Sequence, residues 1–155
     1  MNRIEPDFEI RPALATDRLE VLDLLEACGL PTAGVERHLP ESYAVAVARG
    51  RVIGVAGIEP YGRDGLLRSV AVSSDWRGRA VGARLVLDRL AWAETAGLTG
   101  VYLLTDDAAG YFARLGFASV ARDTVPDQIR ASEEFASICP ESATVMARRP
   151  ALPHT

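Results

Sequence analysis

Arg77-Gly78-Arg79-Ala80-Val81-Gly82, with Arg84 two places on, sets three arginines among small residues in one short stretch. The stretch follows an apolar run, Leu66 to Val72, and a break at Ser73 to Trp76. It opens a segment in which Ala83, Val86, Leu90 and Ala93 recur at helical spacing. A helix start leaves about four main-chain N–H groups without intrahelical partners and carries partial positive charge. Small residues let an anion come close to those groups. The residue types therefore predict a pyrophosphate site. The stretch lacks the G-x-G-x-x-G spacing of a dinucleotide fingerprint, and its preceding strand belongs to a meander rather than a βαβ unit. It has no G-K-[ST], so it is not a Walker loop. A helix start kept small for close packing is the alternative reading of the same letters.

The elements that would position this stretch follow from periodicity. Phe8 to Arg11 alternates and reads as a strand. Thr16 or Asp17 can cap a helix carrying Leu19, Val21, Leu22, Leu24, Leu25 and Cys28, stopped by Gly29 and Pro31. Thr32 to Pro40 reads as loop or a short second helix. Tyr43 to Ala48, Val52 to Ile58 and Leu66 to Val72 are apolar runs separated by Arg49-Gly50-Arg51 and Gly62-Arg63-Asp64-Gly65, which predicts an antiparallel meander. The long helix runs from Gly78 to about Ala96. Val101 to Leu104 reads as a buried strand, Ala108 to Leu115 as a short helix and Phe117 to Ala121 as a strand. Pro126 to Ile138 reads as partly helical, and Ala143 to Ala147 as the last strand. The order predicts a mixed α/β sheet with helices on both faces.

Composition sets the limits. The 155 residues are 48% hydrophobic and 25% charged, the balance of a soluble globular chain of one domain. Residues 1–150 are expected to form that domain, with 151–155 as a disordered tail. A formal net charge of −4 argues against a nucleic-acid partner, whose phosphates favour a basic face. No run reaches the roughly 18 apolar residues of a membrane span. The N-terminal residues show no apolar leader, so a cytoplasmic location is expected. The two cysteines, Cys28 and Cys139, form no C-x-x-C and no cluster with histidine, so no metal site is expected. His38 and His154 stand isolated.

Two segments together point to a family. Arg77-Gly78-Arg79-Ala80-Val81-Gly82 resembles the [RQ]-x-x-G-x-[GA] acetyl-coenzyme A signature of the GNAT superfamily of N-acetyltransferases, with Ala80 in place of the usual Gly. Tyr111-Phe112-Ala113-Arg114-Leu115-Gly116-Phe117 resembles its second motif. The resemblance covers about residues 8 to 148. It implies a mostly antiparallel sheet splayed between its fourth and fifth strands. It implies acetyl-coenzyme A as cosubstrate, held at the pyrophosphate by Arg77, Gly78, Arg79, Ala80, Val81 and Gly82. Val70, Ala71 and Val72 would meet the pantetheine arm and, near Val70, the oxyanion. The reaction implied is direct attack of an amine on the acetyl thioester, the acceptor being a small-molecule amine; two copies could pair as a homodimer. The family often uses as its acid a Tyr four residues before the motif's Gly. That position is Phe112, and Tyr111 beside it is the remaining hydroxyl.

For the acceptor, Glu59 closes the run Val52 to Ile58 and suits a general base, directly or through water; a solvated turn carboxylate is the alternative. Arg68 stands inside an apolar strand and needs a partner. A substrate carboxylate held by its planar fork and an internal ion pair are both open. The long segment before the last strand resembles that of N-acetylglutamate synthases and, further, of small N-acetyltransferases from arsenic-resistance operons. By that resemblance Arg68, Arg130 and Ser142 would line the acceptor site and hold an α-carboxylate. Pro140 stands where the synthases carry an Arg, which weakens the case for glutamate itself. The acceptor expected is an amino acid or amino-acid-like amine. A protein acetyltransferase and a non-catalytic acetyl-coenzyme A-binding module are the other readings.

Overall fold

The structure is a computed structural model and describes residues 7–132, 135 and 143–149. Its strands are β1 (Glu9–Pro12), β2 (Tyr43–Ala48), β3 (Arg51–Tyr61), β4 (Asp64–Val72), β5 (Gly100–Thr105), β6 (Ala118–Ser119) and β7 (Thr144–Arg148). They form one sheet in the order β1-β2-β3-β4-β5-β7-β6. Every neighbouring pair is antiparallel except β4 and β5, which run parallel. The helices are α1 (Arg18–Ala27), α2 (Val35–His38), α3 (Val81–Thr95), α4 (Ala109–Arg114) and α5 (Asp127–Arg130). The expected order and the mixed sheet with helices on both faces hold.

Alternation along the strands sorts the core. On one face Tyr43, Val45, Val55 and Ala71 meet Val21 and Leu25 of α1 and Val35 of α2. Farther along the same face Leu66, Leu104 and Val145 meet Ile129 of α5. The opposite face of β2 and β3 is small, with Ala44, Ala46 and Ala56, so Val81 and Leu85 of α3 lie close against it. Val86, Leu90 and Ala93 continue that contact over Ile58, Leu67 and Leu103, joined by Phe112 of α4. Burying each valine, leucine, isoleucine or phenylalanine among them contributes about 1.5–3 kcal/mol relative to leaving it exposed.

The boundaries moved where local chemistry overrides periodicity. The β2–β3 turn needs only Arg49 and Gly50, at φ 53 and φ 74, the pair of positive values a twisted two-residue hairpin demands. The β3–β4 turn is Gly62-Arg63 alone, with Tyr61 opposite Asp64 and Gly65 already in the strand. The expected strand Phe117 to Ala121 shrinks to Ala118–Ser119, because the chain turns into a 3-10 turn at Arg122–Thr124. Before α1, the Asp17 side chain turns back instead of capping forward. It accepts from Leu14 N at 2.7 Å and takes both terminal nitrogens of Arg11, at 2.8 and 3.0 Å. The Arg11 bonds hold its carboxyl below the usual range against the opposing effect of burial. The segment expected to be partly helical from Pro126 is helical over Asp127–Arg130; 133–134 and 136–142 lie outside the described residues, as does the expected tail.

Candidate active site

Pairing between β4 and β5 covers only Asp64↔Gly100, Gly65↔Val101 and Leu66↔Tyr102. Beyond it the strands part, as the splayed sheet requires. The cause lies in β4: Val55 pairs with Ala71 and Gly57 with Arg68, so Ser69 and Val70 share the one place opposite Ala56. Ser69 sits at φ 63 in this bulge. A bulge adds twist and bends its strand away from a neighbour. The gap opens a cavity of about 930 Å³ between Leu67–Val72 and Leu103–Thr105. The β4 edge facing it lacks a strand partner, so its main-chain groups, apart from the Val72 carbonyl that accepts from Arg77 Nε and Cys28 Sγ, are available to an extended ligand.

One end of the cavity is the start of α3. Gly78 and Ala80 have φ of 81 and 64, and the left-handed step at Ala80 turns the chain into the helix. The first intrahelical bond runs from Arg84 N to Ala80 O at 3.1 Å, so the amides of Val81, Gly82 and Ala83 precede any helical acceptor. No side chain caps this start and no acidic residue stands in its first turn. Arg77, Arg79 and Arg84 are exposed around it. Arg79 stacks on Trp76 at 4.7 Å and Arg84 on Phe8 at 4.9 Å, while Trp76 meets Phe8 edge-on, so Trp76 flanks the loop. Arg77 Nε donates to Val72 O at 3.2 Å, with Cys28 Sγ 3.6 Å from its Nη2. Unpaired amides, helix polarity and flexible guanidinium groups fit a pyrophosphate.

At Gly82 a Cβ would lie 2.8 Å from the Tyr111 hydroxyl. Tyr111 therefore points at the helix start, and burial pushes its phenol pKa up. Phe112 turns into the core against Phe117, ring centroids 5.9 Å apart.

The other end is built from side chains on the α1/α2/α5 face. Arg68, 3% exposed, donates from Nη1 to Ala33 O at 2.6 Å, from Nη2 to Pro31 O at 3.0 Å and from Nε to Ser69 Oγ at 3.2 Å. It thereby fastens the segment between α1 and α2, which forms a wall of the cavity at Gly29, Leu30 and Pro31. Behind Arg68 lies Glu59, 1% exposed. Its Oε2 is 3.6 Å from Arg68 Nη1 and accepts from the Tyr43 hydroxyl at 2.9 Å. Its Oε1 accepts from the Tyr61 hydroxyl at 3.2 Å and lies 3.8 Å from His38 Nε2. The Tyr43 hydroxyl is also 3.4 Å from Ser69 Oγ. Burial, then the Glu59 carboxylate, pushes the Tyr43 phenol pKa well above 10. Its ring fills a notch at Gly57, where a Cβ would lie 2.4 Å from Tyr43 Cε2.

The residues singled out by sequence fall into three groups. Val70, Ala71, Val72, Arg77, Gly78, Ala80, Val81, Gly82, Arg68 and Tyr111 line one cavity. Arg79 stands beside it on the same loop. Glu59 is no turn carboxylate: β3 runs two residues past it, and Tyr43 and Arg68 stand between it and the cavity. Arg130 is exposed on α5 and pairs with Asp127; it is not among the lining residues. Ser142 lies outside the described residues. Tyr43, Ser69 and His38 went unread as a group with Glu59. A tyrosine opening a strand whose partner strand carries a glycine is a signal that could have suggested a ring folded over that glycine. Among the described residues no cluster of metal-ligating side chains occurs, and no helix is long and apolar enough to cross a membrane.

Comparison with known proteins agrees with this geometry. The family model described as Acetyltransferase (GNAT) family matches residues 8–117. Among solved structures, the chain is similar to N-acetylglutamate synthase from Neisseria gonorrhoeae, solved with coenzyme A and N-acetyl-glutamate. The TM-score is 0.80 at 22% identity, over 96% of this chain and 36% of that one. This chain thus spans about a third of the synthase. It is also similar to Rv2747 from Mycobacterium tuberculosis, in complex with CoA and NLQ, with a TM-score of 0.77 at 21% identity over 91% and 98% of the two chains. A ribosomal-protein alanine N-acetyltransferase from Escherichia coli follows, with a TM-score of 0.71 at 17% identity over 95% and 96%. At these identities the likeness is one of fold.

Proposed function

We propose that the chain, which belongs to the acetyltransferase (GNAT) family, is an acetyl-coenzyme A-dependent N-acetyltransferase whose acceptor is a small amine bearing a carboxylate, an amino acid or an amino-acid-like compound. The observation that carries this reading is the Arg68–Glu59 pair, a buried cation and anion 3.6 Å apart at the acceptor end of the cavity. An α-amino acid presents the complementary pair, a carboxylate and an ammonium one carbon apart. The carboxylate would take the Arg68 fork in place of the Pro31 and Ala33 carbonyls, since it brings a full negative charge and a planar bidentate match where the carbonyls bring only dipoles. The ammonium would then lie on the Ser69 side and lose its proton toward Glu59. Fluorinated, phosphorus-containing or arsenic-containing amino acids share this chemistry, and an arsenic-resistance role is one form of the proposal.

Acetyl-coenzyme A, when bound, supplies an activated acyl carbon on a thioester. The residues that fit it are the amides of Val81, Gly82 and Ala83 with Arg77 and Arg79 for the pyrophosphate, and the open β4 edge at Val70 and Val72 for the pantetheine arm. A main-chain donor near Val70 would stabilise the developing oxyanion. Phe112 lies in the core and the Tyr111 hydroxyl is turned to Gly82, so neither ring places an acid at the bulge. A thiolate is a fair leaving group unaided.

The test is thiol release on a panel of free amino acids, their arsenic and phosphorus analogues, and peptides, for the wild type and Arg68→Lys. Free carboxylate-bearing amines should be acetylated. Arg68→Lys should raise the acceptor KM about 10–100-fold, since an ammonium cannot reproduce the fork, and leave the acetyl-coenzyme A KM within about threefold. Acetylation of peptides alone, or an unchanged acceptor KM, would overturn the acceptor class.

A further inference from the structure

Glu59 has the chemistry of a base but no route to the acceptor by itself, because it does not line the cavity and is 1% exposed. The side chains between them are arranged in a direction. Arg68 Nε–H donates to Ser69 Oγ at 3.2 Å, which leaves the Ser69 hydroxyl proton to point elsewhere. The Tyr43 hydroxyl, 3.4 Å from Ser69 Oγ, donates its own proton to Glu59 Oε2 at 2.9 Å. Its oxygen therefore accepts from Ser69. The bonds run Arg68 to Ser69 to Tyr43 to Glu59 without reversal, and Ser69 keeps one lone pair for an N–H donor in the cavity that it lines.

We propose that Ser69 and Tyr43 form a proton relay that carries the acceptor's ammonium proton from the cavity to Glu59. This rests on the amine-acceptor reading above. In the step, the N–H bond of the ammonium breaks and its proton passes to Ser69 Oγ. The former Ser69 hydroxyl proton passes to the Tyr43 oxygen, and the former Tyr43 proton passes to Glu59 Oε2. The amine keeps the electron pair of the broken bond and becomes a nucleophile. Glu59 becomes a neutral carboxylic acid, so one positive and one negative charge vanish together and no net charge enters the buried strip. Among the described residues, the groups facing Glu59 are Arg68 from β4, Tyr43 from β2, Tyr61 from β3 and His38 from α2. The last two meet its other oxygen, Oε1. His38, at 22% exposure of its side chain, and partly exposed Tyr61 give that oxygen a path by which the proton reaches water after the turnover.

The bulge explains why Ser69 can serve. Its φ of 63 places it out of register, so the side chains of Arg68 and Ser69 reach the same strip instead of alternating across the sheet. Tyr43 is suited to the middle position because it stays a neutral phenol, able to accept and donate at once.

The experiment is kcat against pH, from well below to well above the acceptor's ammonium pKa, with proton inventories in mixed light and heavy water. It uses the whole chain as wild type, Tyr43→Phe, Ser69→Ala, Glu59→Gln and Tyr43→Phe/Glu59→Gln. Tyr43→Phe keeps the ring in the Gly57 notch and the Glu59–Arg68 pair intact, so it tests the relay even where Glu59→Gln folds poorly. At neutral pH it should lower kcat roughly 100-fold, the lower end of the range for losing general-base assistance. The loss should shrink to less than about threefold once the amine is already neutral in solution. The proton inventory should change from curved to linear, and the double variant should be no slower than either single one. A Tyr43→Phe loss that is equal at every pH, or smaller than about threefold at neutral pH, overturns the relay. If Glu59→Gln alone shows the pH-dependent loss, Glu59 is the base by another route and only the relay falls. If the wild type acetylates no carboxylate-bearing amine, the acceptor reading falls and takes the relay with it.

Discussion

The two ends of the cavity are made of different material. The helix-start end is main chain and small residues: Gly78, Ala80 and Gly82, with β4 running into them. The other end, where we place the acceptor, has Arg68 and Ser69 of β4 in its lining and behind them side chains from separate elements, His38 on α2, Tyr43 on β2, Glu59 and Tyr61 on β3. The first recognises a ligand by what every residue possesses, its amide. The second recognises by identity and distance, and each member depends on the others. A change at the first end should therefore act through shape and charge at one point, and a change at the second should spread through a network.

The largest effect expected is at the helix start. Gly82→Glu places a carboxylate where three unpaired amides converge and where even a Cβ meets the Tyr111 hydroxyl at 2.8 Å. An acidic residue in the first turn is favourable for the helix itself, so the fold should survive. Acetyl-coenzyme A affinity should fall at least about 100-fold, about 2.7 kcal/mol, measured by calorimetry and by loss of the ligand-induced rise in Tm. The unfolding transition without cofactor should stay put. Retained cofactor affinity would break the division between the two ends.

This division also explains what could be read from the letters. Arg77 to Gly82 is contiguous, and its chemistry is local: small residues, a strand before, a helix after. The sequence therefore carries it whole, and the splay between β4 and β5 followed from the same resemblance. Phe112 could be read as lacking a hydroxyl, but where the Tyr111 hydroxyl points depends on α4 packing over α3. Glu59 and Arg68 were visible as residues needing an explanation. Their answer was not, because Tyr43 lies 16 residues from Glu59 and the carbonyls of Pro31 and Ala33 lie 37 and 35 residues from Arg68. The bulge at Ser69 leaves no local mark either, since it is defined by register against β3. Arg130 was named from likeness alone, and in the structure its guanidinium meets Asp127 on its own helix.

A smaller effect, and one that sharpens the comparison, is expected at Gly57. The notch there holds the Tyr43 ring, whose Cε2, Cζ and Cδ2 would lie 2.4, 2.5 and 2.7 Å from a Cβ. The ring is enclosed at 0% exposure, so it cannot swing aside as an exposed chain end would. Gly57→Ala should cost about 1–3 kcal/mol of stability by overpacking, a fall in Tm of about 3–10 °C for a chain of this size. Because Tyr43 holds Glu59 and meets Ser69, acceptor kcat/KM should fall about tenfold or more, toward the scale of lost general-base assistance, while acetyl-coenzyme A affinity stays within about threefold. A loss of cofactor affinity equal to the loss in acceptor use would show that the two ends are one mechanical unit.

The smallest effect belongs to Ala80, and it has a definite sign. Ala80 holds φ 64 and ψ 19 at the N-cap of α3, in the left-handed region that costs a residue with a Cβ roughly 1–2 kcal/mol. Glycine removes that cost but has more freedom to lose on folding, worth about 0.4–1 kcal/mol. The side chain at Ala80 is exposed, so almost no packing is forfeited with its methyl group. The difference leaves Ala80→Gly more stable by about 0.5–1 kcal/mol, a rise in Tm of about 1–4 °C. The loop geometry is already left-handed in the wild type, so acetyl-coenzyme A affinity should change less than about threefold, under 1 kcal/mol. Acceptor kcat/KM should not change, since nothing in the Arg68–Ser69–Tyr43–Glu59 strip touches this turn. Denaturant melts of the two proteins side by side decide it. A variant less stable than the wild type would show that glycine's chain entropy exceeds the strain at Ala80, and that the strand-to-helix turn gains order from the very methyl group that its φ disfavours.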